Sequence, residues 1–112
     1  MEKKTQQRAN LLQGTLDMLI LRTLLHGPAH GHQIGKHIQR ITNDFLQMQH
    51  GSLYPALHRL QRKGLLKSEW KESGSGPMAK YYSLTALGRK SLQEERAQWQ
   101  RYAGAVALVL ES

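Results

Sequence analysis

The chain has 112 residues, with 16 lysines and arginines against 8 aspartates and glutamates, so its formal net charge is +8 at pH 7. This length fits one small domain, and a pI near 10.1 favours nucleic acid as a partner, ahead of acidic membrane. The lack of cysteine excludes disulfides, thiolate metal sites and a cysteine nucleophile. No apolar run reaches the roughly 20 residues of a membrane span, so we expect a cytoplasmic protein without a membrane partner.

Three helices are predicted in the first half of the chain. Residues 1–10 are polar and charged, and we interpret them as a flexible arm. Apolar side chains then recur at helical spacing over Leu11–His26 and over Gly31–Thr42. A third helix is expected over Ser52–Lys63, with Ser52 as its cap, Pro55 in its first turn and a glycine stop after it.

A β-hairpin is predicted next, from the strand Leu65–Lys71, a serine- and glycine-rich turn and the strand Lys80–Leu84. Thr85 can then cap a last helix that runs from Ala86 towards Leu110. Three helices followed by a two-stranded hairpin form the winged helix-turn-helix arrangement.

The predicted fold is therefore mainly α with a small β-hairpin. We assign residues 11–85 to a winged helix-turn-helix DNA-binding domain and residues 86–112 to a C-terminal dimerisation helix.

The third helix is the candidate reading element, because the second helix of such a pair enters the major groove. Its leucines share one face, which we expect to be core. The other positions offer groups that can contact phosphates or base edges, namely Ser52, Tyr54, Pro55, His58, Arg59 and Arg62. In the hairpin, Lys80 and Tyr82 are expected to reach the flanking backbone or the minor groove of double-stranded DNA. An ordinary solvated face is the alternative, but the net charge and the basic hairpin favour DNA.

The last helix predicts a homodimer. It carries one apolar side chain per turn, at spacings of four, three and four residues, and these side chains form a seam for a second helix. The seam consists of Trp99, Ala103, Val106 and Leu110. Left uncovered, such a seam would be an aggregation hazard. A two-fold dimer would place two reading helices about one DNA turn apart, on a near-palindromic site. The alternative is that this helix packs only against its own first helix.

Catalysis and metal binding have little support in the sequence. His26, His30 and His32 flank a Gly-Pro pair, but no nearby carboxylate or cysteine completes a ligand set, so we expect turn and surface roles. No Ser/His/Asp arrangement or phosphate-binding glycine motif stands out. We therefore expect no enzyme, no metal and no cofactor.

Four segments resemble the PadR family of transcriptional regulators. They are LLQGTLD at 11–17, HGHQI at 30–34, GSLYPALHRL at 51–60 and KYYSLT at 80–85. The resemblance extends from Leu11 to Trp99 and is to the short subfamily, with one winged domain and one dimerisation helix. It implies a homodimeric regulator, usually a repressor, that a small molecule or a stress signal releases from its operator.

The resemblance also implies roles for individual residues. Base reading falls to Ser52, Tyr54, Pro55, His58 and Arg59, and backbone contacts fall to His32, Lys80 and Tyr82. Trp99 matches an aromatic that lines a cavity for a small aromatic effector in some relatives, although it can equally be a plain seam residue. The arginines that commonly precede the Lys-Tyr-Tyr run are replaced here by Pro77-Met78-Ala79, so the third helix should carry more of the specificity.

Two other functions stay open on the sequence alone. One is a dimer whose chief property is an apolar cavity for small molecules. The other is an interaction or membrane-surface protein that uses its apolar tail and its basic charge, with no sequence-specific DNA site.

Overall fold

The computed structural model describes residues 14–74 and 76–112. Within them lie four α-helices, which are α1 (described over residues 14–23), α2 (Gly31–Ile41), α3 (His50–Arg62) and α4 (Ala86–Glu111). A 3-10 turn, Leu24–His26, follows α1. The three strands are β1 (Ala29–His30), β2 (Leu66–Glu72) and β3 (Met78–Leu84). The predicted arm and the first three residues of the predicted first helix lie outside the described residues.

The strands form one antiparallel sheet in the order β1-β3-β2. Trp70 of β2 pairs with Lys80 of β3, and Ala29 of β1 pairs with Tyr82 on the other side of β3. The predicted hairpin is confirmed, but the two-stranded sheet is wrong because β1 adds a third strand. Two residues are too few to show the alternation by which a strand is recognised in a sequence.

One core lies between the first three helices and the sheet. Its buried apolar side chains are Leu16, Ile20, Leu21, Leu24, Ile34, Ile38, Leu53, Ala56, Leu57, Leu60, Leu66, Tyr82, Leu84 and Leu92. The leucine face predicted for α3 is confirmed, since Leu53, Leu57 and Leu60 are almost fully buried. Each such leucine contributes about 1.5–3 kcal/mol to folding. Ile41 lies at the end of α2 and is 67% exposed, so the buried face of this helix ends at Ile38.

The start of α3 differs from the prediction. The helix begins two residues early, at His50, and its N-cap Gln49 makes no side-chain capping bond. Ser52 is therefore in the first turn and does not cap, and Pro55 is in the second turn. There the proline ring removes the N–H that would bond the carbonyl of Gly51. The predicted stop is confirmed, because Gly64 follows the helix with a φ of +79°.

Thr85 connects the end of α3 to the start of α4. Its hydroxyl donates to the Gly64 carbonyl (2.7 Å) and accepts from the Gly88 N–H (3.0 Å), which confirms the predicted cap. Its own N–H donates to the Leu65 carbonyl at 3.1 Å. Gly88 and Leu92 are the buried residues of α4, so the helix is anchored at its first two turns and most of its remaining length is exposed.

Candidate nucleic-acid interface

A cleft of about 530 Å³ lies between the start of α2, the exposed side of α3 and the sheet. Five of the residues predicted to contact DNA line it, namely His32, Tyr54, His58, Lys80 and Tyr82. These residues come from three separate elements of the chain. The fold therefore gathers them at one surface, on the side of α3 away from its buried leucines.

Tyr54 is held against the start of α2. A Cβ at Gly31 would lie only 2.6–2.9 Å from three atoms of the Tyr54 ring, so only glycine permits this approach. The ring is half-buried and forms a wall of the cleft. The contact therefore places the Tyr54 side chain at the junction of α2 and α3.

His30 ties the sheet to the helix-turn-helix pair. It is the last residue of β1, paired with Tyr81, and also the N-cap of α2. Its Nδ1 accepts from the Gln33 N–H (3.3 Å), while its own N–H donates to Gln33 Oε1 (3.1 Å). This is a capping box with histidine in the place of serine or threonine. The turn role that the sequence analysis favoured for His30 is thus confirmed.

Tyr82 borders the cleft but is almost completely buried. Its side chain is 2% exposed and belongs to the core, so the prediction that it contacts DNA is wrong. Burial, and secondarily the nearby Tyr54, raise the pKa of its phenol. The alternation of β3 explains the error, because Tyr82 and Leu84 point inward together while Tyr81 lies on the other face of the strand.

Arg59 lies on the flank of α3 that faces α1, where its Nη2 donates to Asp17 Oδ1 at 2.5 Å. Both side chains are mostly buried, so the predicted outward, base-reading position of Arg59 is corrected to a structural ion pair. Glu95 of α4 lies nearby. Burial raises its pKa, the charge of Asp17 raises it further, and Lys63 opposes the rise.

The remaining predicted residues of α3 are exposed. Ser52, Pro55, His58 and Arg62 all lie on the solvent side of the helix. His58 is in the cleft itself, whereas the other three lie outside its lining. The usable face of α3 is therefore one imidazole, one guanidinium, one hydroxyl and one proline ring.

The wing, which is the hairpin of β2 and β3, contributes a modest positive field. Lys80 is half-buried, with its Nζ 5.8 Å from the centre of the Tyr82 ring. Lys71 is paired with Glu69 (3.2 Å), which cancels one exposed cation of the sheet. Trp70 lines the cleft and is 65% exposed, although it was not among the residues predicted to contact DNA. An aromatic opposite a lysine on a wing strand was the signal that could have revealed it.

Asp17→Asn is expected to lower the free energy of unfolding by about 1–2 kcal/mol, because it breaks a half-buried ion pair between α1 and α3. The pKa of Glu95 should fall towards its ordinary value, since one acidic neighbour is neutralised. Urea unfolding and an NMR titration of the Glu95 carboxyl carbon measure the two effects. Glu94→Gln, at an exposed acid of the same helix, is the control. An unchanged stability and an unchanged Glu95 pKa would contradict the structural role of the pair.

A second cleft, of about 550 Å³, lies between α1 and α4. Met18, Glu95, Trp99 and Tyr102 are among its lining residues, and the two aromatic ring centres are 6.1 Å apart. Trp99 is 45% exposed here. The structure thus places the candidate effector residue beside an open groove.

Over residues 14–74 and 76–112, the structure shows no group of three histidine and carboxylate side chains able to hold a metal ion. Over the same residues, no helix has the length and hydropathy needed to cross a bilayer.

The element order, the three-stranded sheet and the cleft between α3 and the sheet define a winged helix-turn-helix protein. The model of the PadR-like family of transcriptional regulators matches residues 20–94. The chain belongs to this family of transcriptional regulators.

Relatives of similar length support this membership. An uncharacterized protein X of Lysinibacillus sphaericus is 30% identical over 93% of this chain and 95% of its own length. The transcriptional regulator Rv3488 of Mycobacterium tuberculosis is 33% identical over 73% of this chain and 69% of its own. The transcriptional regulator YqjI of Escherichia coli is longer, and the 32% identity covers only 39% of it.

Solved structures match the fold over nearly the whole chain. A PadR family transcriptional regulator from Eggerthella lenta has a TM-score of 0.78 at 34% identity, over 99% of this chain and 96% of that chain. A PadR-like transcriptional regulator from Bacillus cereus has a TM-score of 0.78 at 28% identity, over 92% of this chain and 98% of that chain.

Proposed function

We propose that the chain is a sequence-specific regulator that binds a near-palindromic operator in double-stranded DNA as a cytoplasmic homodimer, and that it is a repressor released by a ligand or a stress signal. The observation that carries the proposal is the cleft in which the exposed side of α3 meets the wing. A leucine-anchored helix with a cationic outer face, flanked by a sheet, fits a major groove and its adjoining backbone.

The reading role falls to the exposed face of α3. Arg62 can pair with guanine or phosphate, and His58 can contact a base edge from within the cleft. Ser52 can donate to phosphate near the positive end of the helix. Arg59 acts differently, because its ion pair with Asp17 fixes the orientation of α3 against α1.

The dimer rests on the exposed apolar residues of α4. Val106 is 40% exposed, Leu110 is 79% exposed, and both lie on the same helix face as Trp99 and the half-buried Ala103. Such a face at coiled-coil spacing is stabilised by a second copy. A two-fold axis along α4 would present two α3 helices to successive major grooves.

The reading face can be tested with a duplex selected from a random pool. We expect His58→Ala and Arg62→Ala each to cost about 1–3 kcal/mol of affinity in fluorescence anisotropy, because each removes a contact to a base or a phosphate. Arg89→Ala, at an exposed arginine of α4, is the matched control. Equal binding by the wild type and both variants would remove the proposed face. Binding to anionic vesicles without binding to any duplex would instead favour a membrane-surface protein.

A small aromatic effector is the candidate release signal, and the groove between α1 and α4 is its candidate site. Trp99 and Tyr102 offer ring faces for stacking, and Met18 supplies a polarisable neighbour. This function is compatible with DNA binding, since occupancy of the groove would act on the helix that forms the dimer. It would also act on Glu95, which borders the Asp17–Arg59 pair.

Planar aromatic compounds are expected to quench the fluorescence of Trp99 and to weaken duplex binding at the same concentrations. The measurement uses a Trp70→Phe variant, because Trp70 is exposed in the DNA cleft and would report a different site. In this background Trp99 is the remaining tryptophan of the chain. Trp99→Phe alone is the matched control, with Trp70 as its reporter. No quenching of Trp99 across a broad panel of compounds would count against the effector groove.

A further inference from the structure

We propose that a further, basic cleft binds a phosphate of the DNA backbone outside the reading face. This cleft lies on the side of α2 that faces away from α3. We call it the histidine cleft, and define it by His26, Lys36, His37 and Arg40. The proposal rests on the proposed function, because it assigns further contacts to the same complex. None of these four residues was predicted to contact DNA, although His32, which was, also lines the cleft.

The histidine cleft has a volume of about 500 Å³ and is formed by the 3-10 turn, the segment before β1 and α2. The rings of His26 and His37 meet edge to face, with centres 5.5 Å apart and planes at 63°. Arg22 of α1 brings its Nη1 to 3.5 Å from His26 Nε2. Lys36 and Arg40 line the open side and are exposed. Four groups that are cationic or can become so, those of His26, Lys36, His37 and Arg40, therefore line one concave surface, and Arg22 lies beside His26.

Among the residues that the structure describes, no acidic side chain lines this cleft. The charged and titratable groups that face His37 are Arg22 from α1, His26 from the 3-10 turn and Arg40 from its own helix. Burial, then His26, Arg40 and Arg22, lower the pKa of His37. A concave surface of one sign of charge concentrates counter-ions, and a bound oxyanion would supply the negative charge that these groups lack. Two imidazoles and two to three permanent cations suit an oxyanion rather than a metal ion.

The position of the cleft favours DNA as the source of that oxyanion. His32 lines both the histidine cleft and the cleft beside α3, so the two surfaces are continuous around the start of α2. In helix-turn-helix proteins the helix before the reading helix crosses the backbone. A DNA strand presents a row of phosphates along such a path, whereas a free phosphate would occupy one cleft only.

Arg40→Gln and His37→Gln test the proposal in duplex binding. Each is expected to weaken binding about 3- to 10-fold near 0.1 M salt, and Arg40→Gln should reduce the slope of log K against log salt by about 0.9, the value for one phosphate. Lowering the pH from about 7.5 to about 6 should increase the duplex affinity of the wild type more than the duplex affinity of the His37→Gln variant. The reason is that His37 is expected to become protonated when the DNA phosphate binds beside it. Lys90→Gln removes an exposed cation from α4, outside both clefts, and is the matched control.

Inorganic phosphate provides a test that does not depend on DNA. In an NMR titration of the whole protein, phosphate should raise the pKa of His37 and shift the ring signals of His26, and it should leave the ring signals of His58 on α3 unchanged. Arg40→Gln should reduce both effects. Arg40 is exposed, so its replacement leaves the packing of the core unchanged and the variant should fold as the wild type does.

The outcomes separate this proposal from the proposed function. If Arg62→Ala weakens duplex binding while Arg40→Gln and His37→Gln bind as the wild type does, the histidine cleft is no DNA contact and the reading face stands. If no duplex binds the wild type but phosphate raises the pKa of His37, the proposed function fails and the oxyanion belongs to a free phosphorylated molecule, which overturns the backbone contact. A His37 pKa that does not move in phosphate would overturn the oxyanion site itself.

Discussion

Replacing Val106 with aspartate is expected to separate the proposed dimer into monomers and to lower operator affinity by about 100-fold or more. An aspartate in the seam would place an unpaired carboxylate between two apolar helices, which association cannot tolerate. A monomer keeps one reading helix α3, but it loses the increase in affinity that a dimer gains by binding two half-sites at once. Light scattering after size exclusion gives the mass, and anisotropy with the selected duplex gives the affinity.

Ala97→Asp is the control for this experiment, because it adds the same charge at an exposed position of α4 on the side away from the seam. It should leave both mass and affinity unchanged. A wild-type protein that is already a monomer at micromolar concentration would refute the dimer. A Val106→Asp protein that remains a dimer would show that the seam is not the interface.

Gly88→Ala is expected to destabilise the fold by about 2–4 kcal/mol, the range of a severe overpacking change. A Cβ at this position would collide with the carbonyl oxygen of Leu65, which is backbone and cannot rotate away. That carbonyl also accepts the N–H of Thr85, so a shift would loosen the start of α4. Thermal unfolding should show a melting temperature lower by about 10–25 °C.

Gly51→Ala serves as the comparison, since nothing lies within 4 Å of the Cβ position at this exposed glycine in the first turn of α3. Its melting temperature should stay the same or rise slightly, because alanine is the better helix former. Equal melting temperatures for Gly88→Ala and the wild type would mean that the start of α4 does not pack against the backbone of Leu65 as described.

The helices and the hairpin could be predicted because their signals are local. Leucines at helical spacing identify the buried face of α3, and Thr85 identifies the start of α4. The strand β1 could not be predicted in this way, because its two residues form a strand only through their pairing with β3. The start of α3 was misplaced for a related reason, since the backbone carbonyl of Gln49 begins the helix and no side chain marks it.

The site was predictable only in outline. Periodicity separates the core face of α3 from its solvent face, but it does not tell solvent from a neighbouring helix. Arg59 fell on that boundary and is held by Asp17, 42 residues earlier in the chain. Tyr82 was misplaced because aromatic residues suit both faces of a strand, and only the packing of β3 against the helices decides which one is buried. The histidine cleft likewise needs the three-dimensional approach of α1 and α2.

The double role of His30 has a consequence for how the protein meets a duplex. The same residue ends a strand of the sheet and begins α2, so the wing cannot swing without carrying the helix-turn-helix pair with it. The distance between the wing and α3 is then constant. A duplex whose groove is too wide or too narrow for that distance has to deform in order to bind. The free energy of that deformation depends on base sequence. In the proposed complex, base pairs that no side chain touches would therefore contribute to the choice of operator.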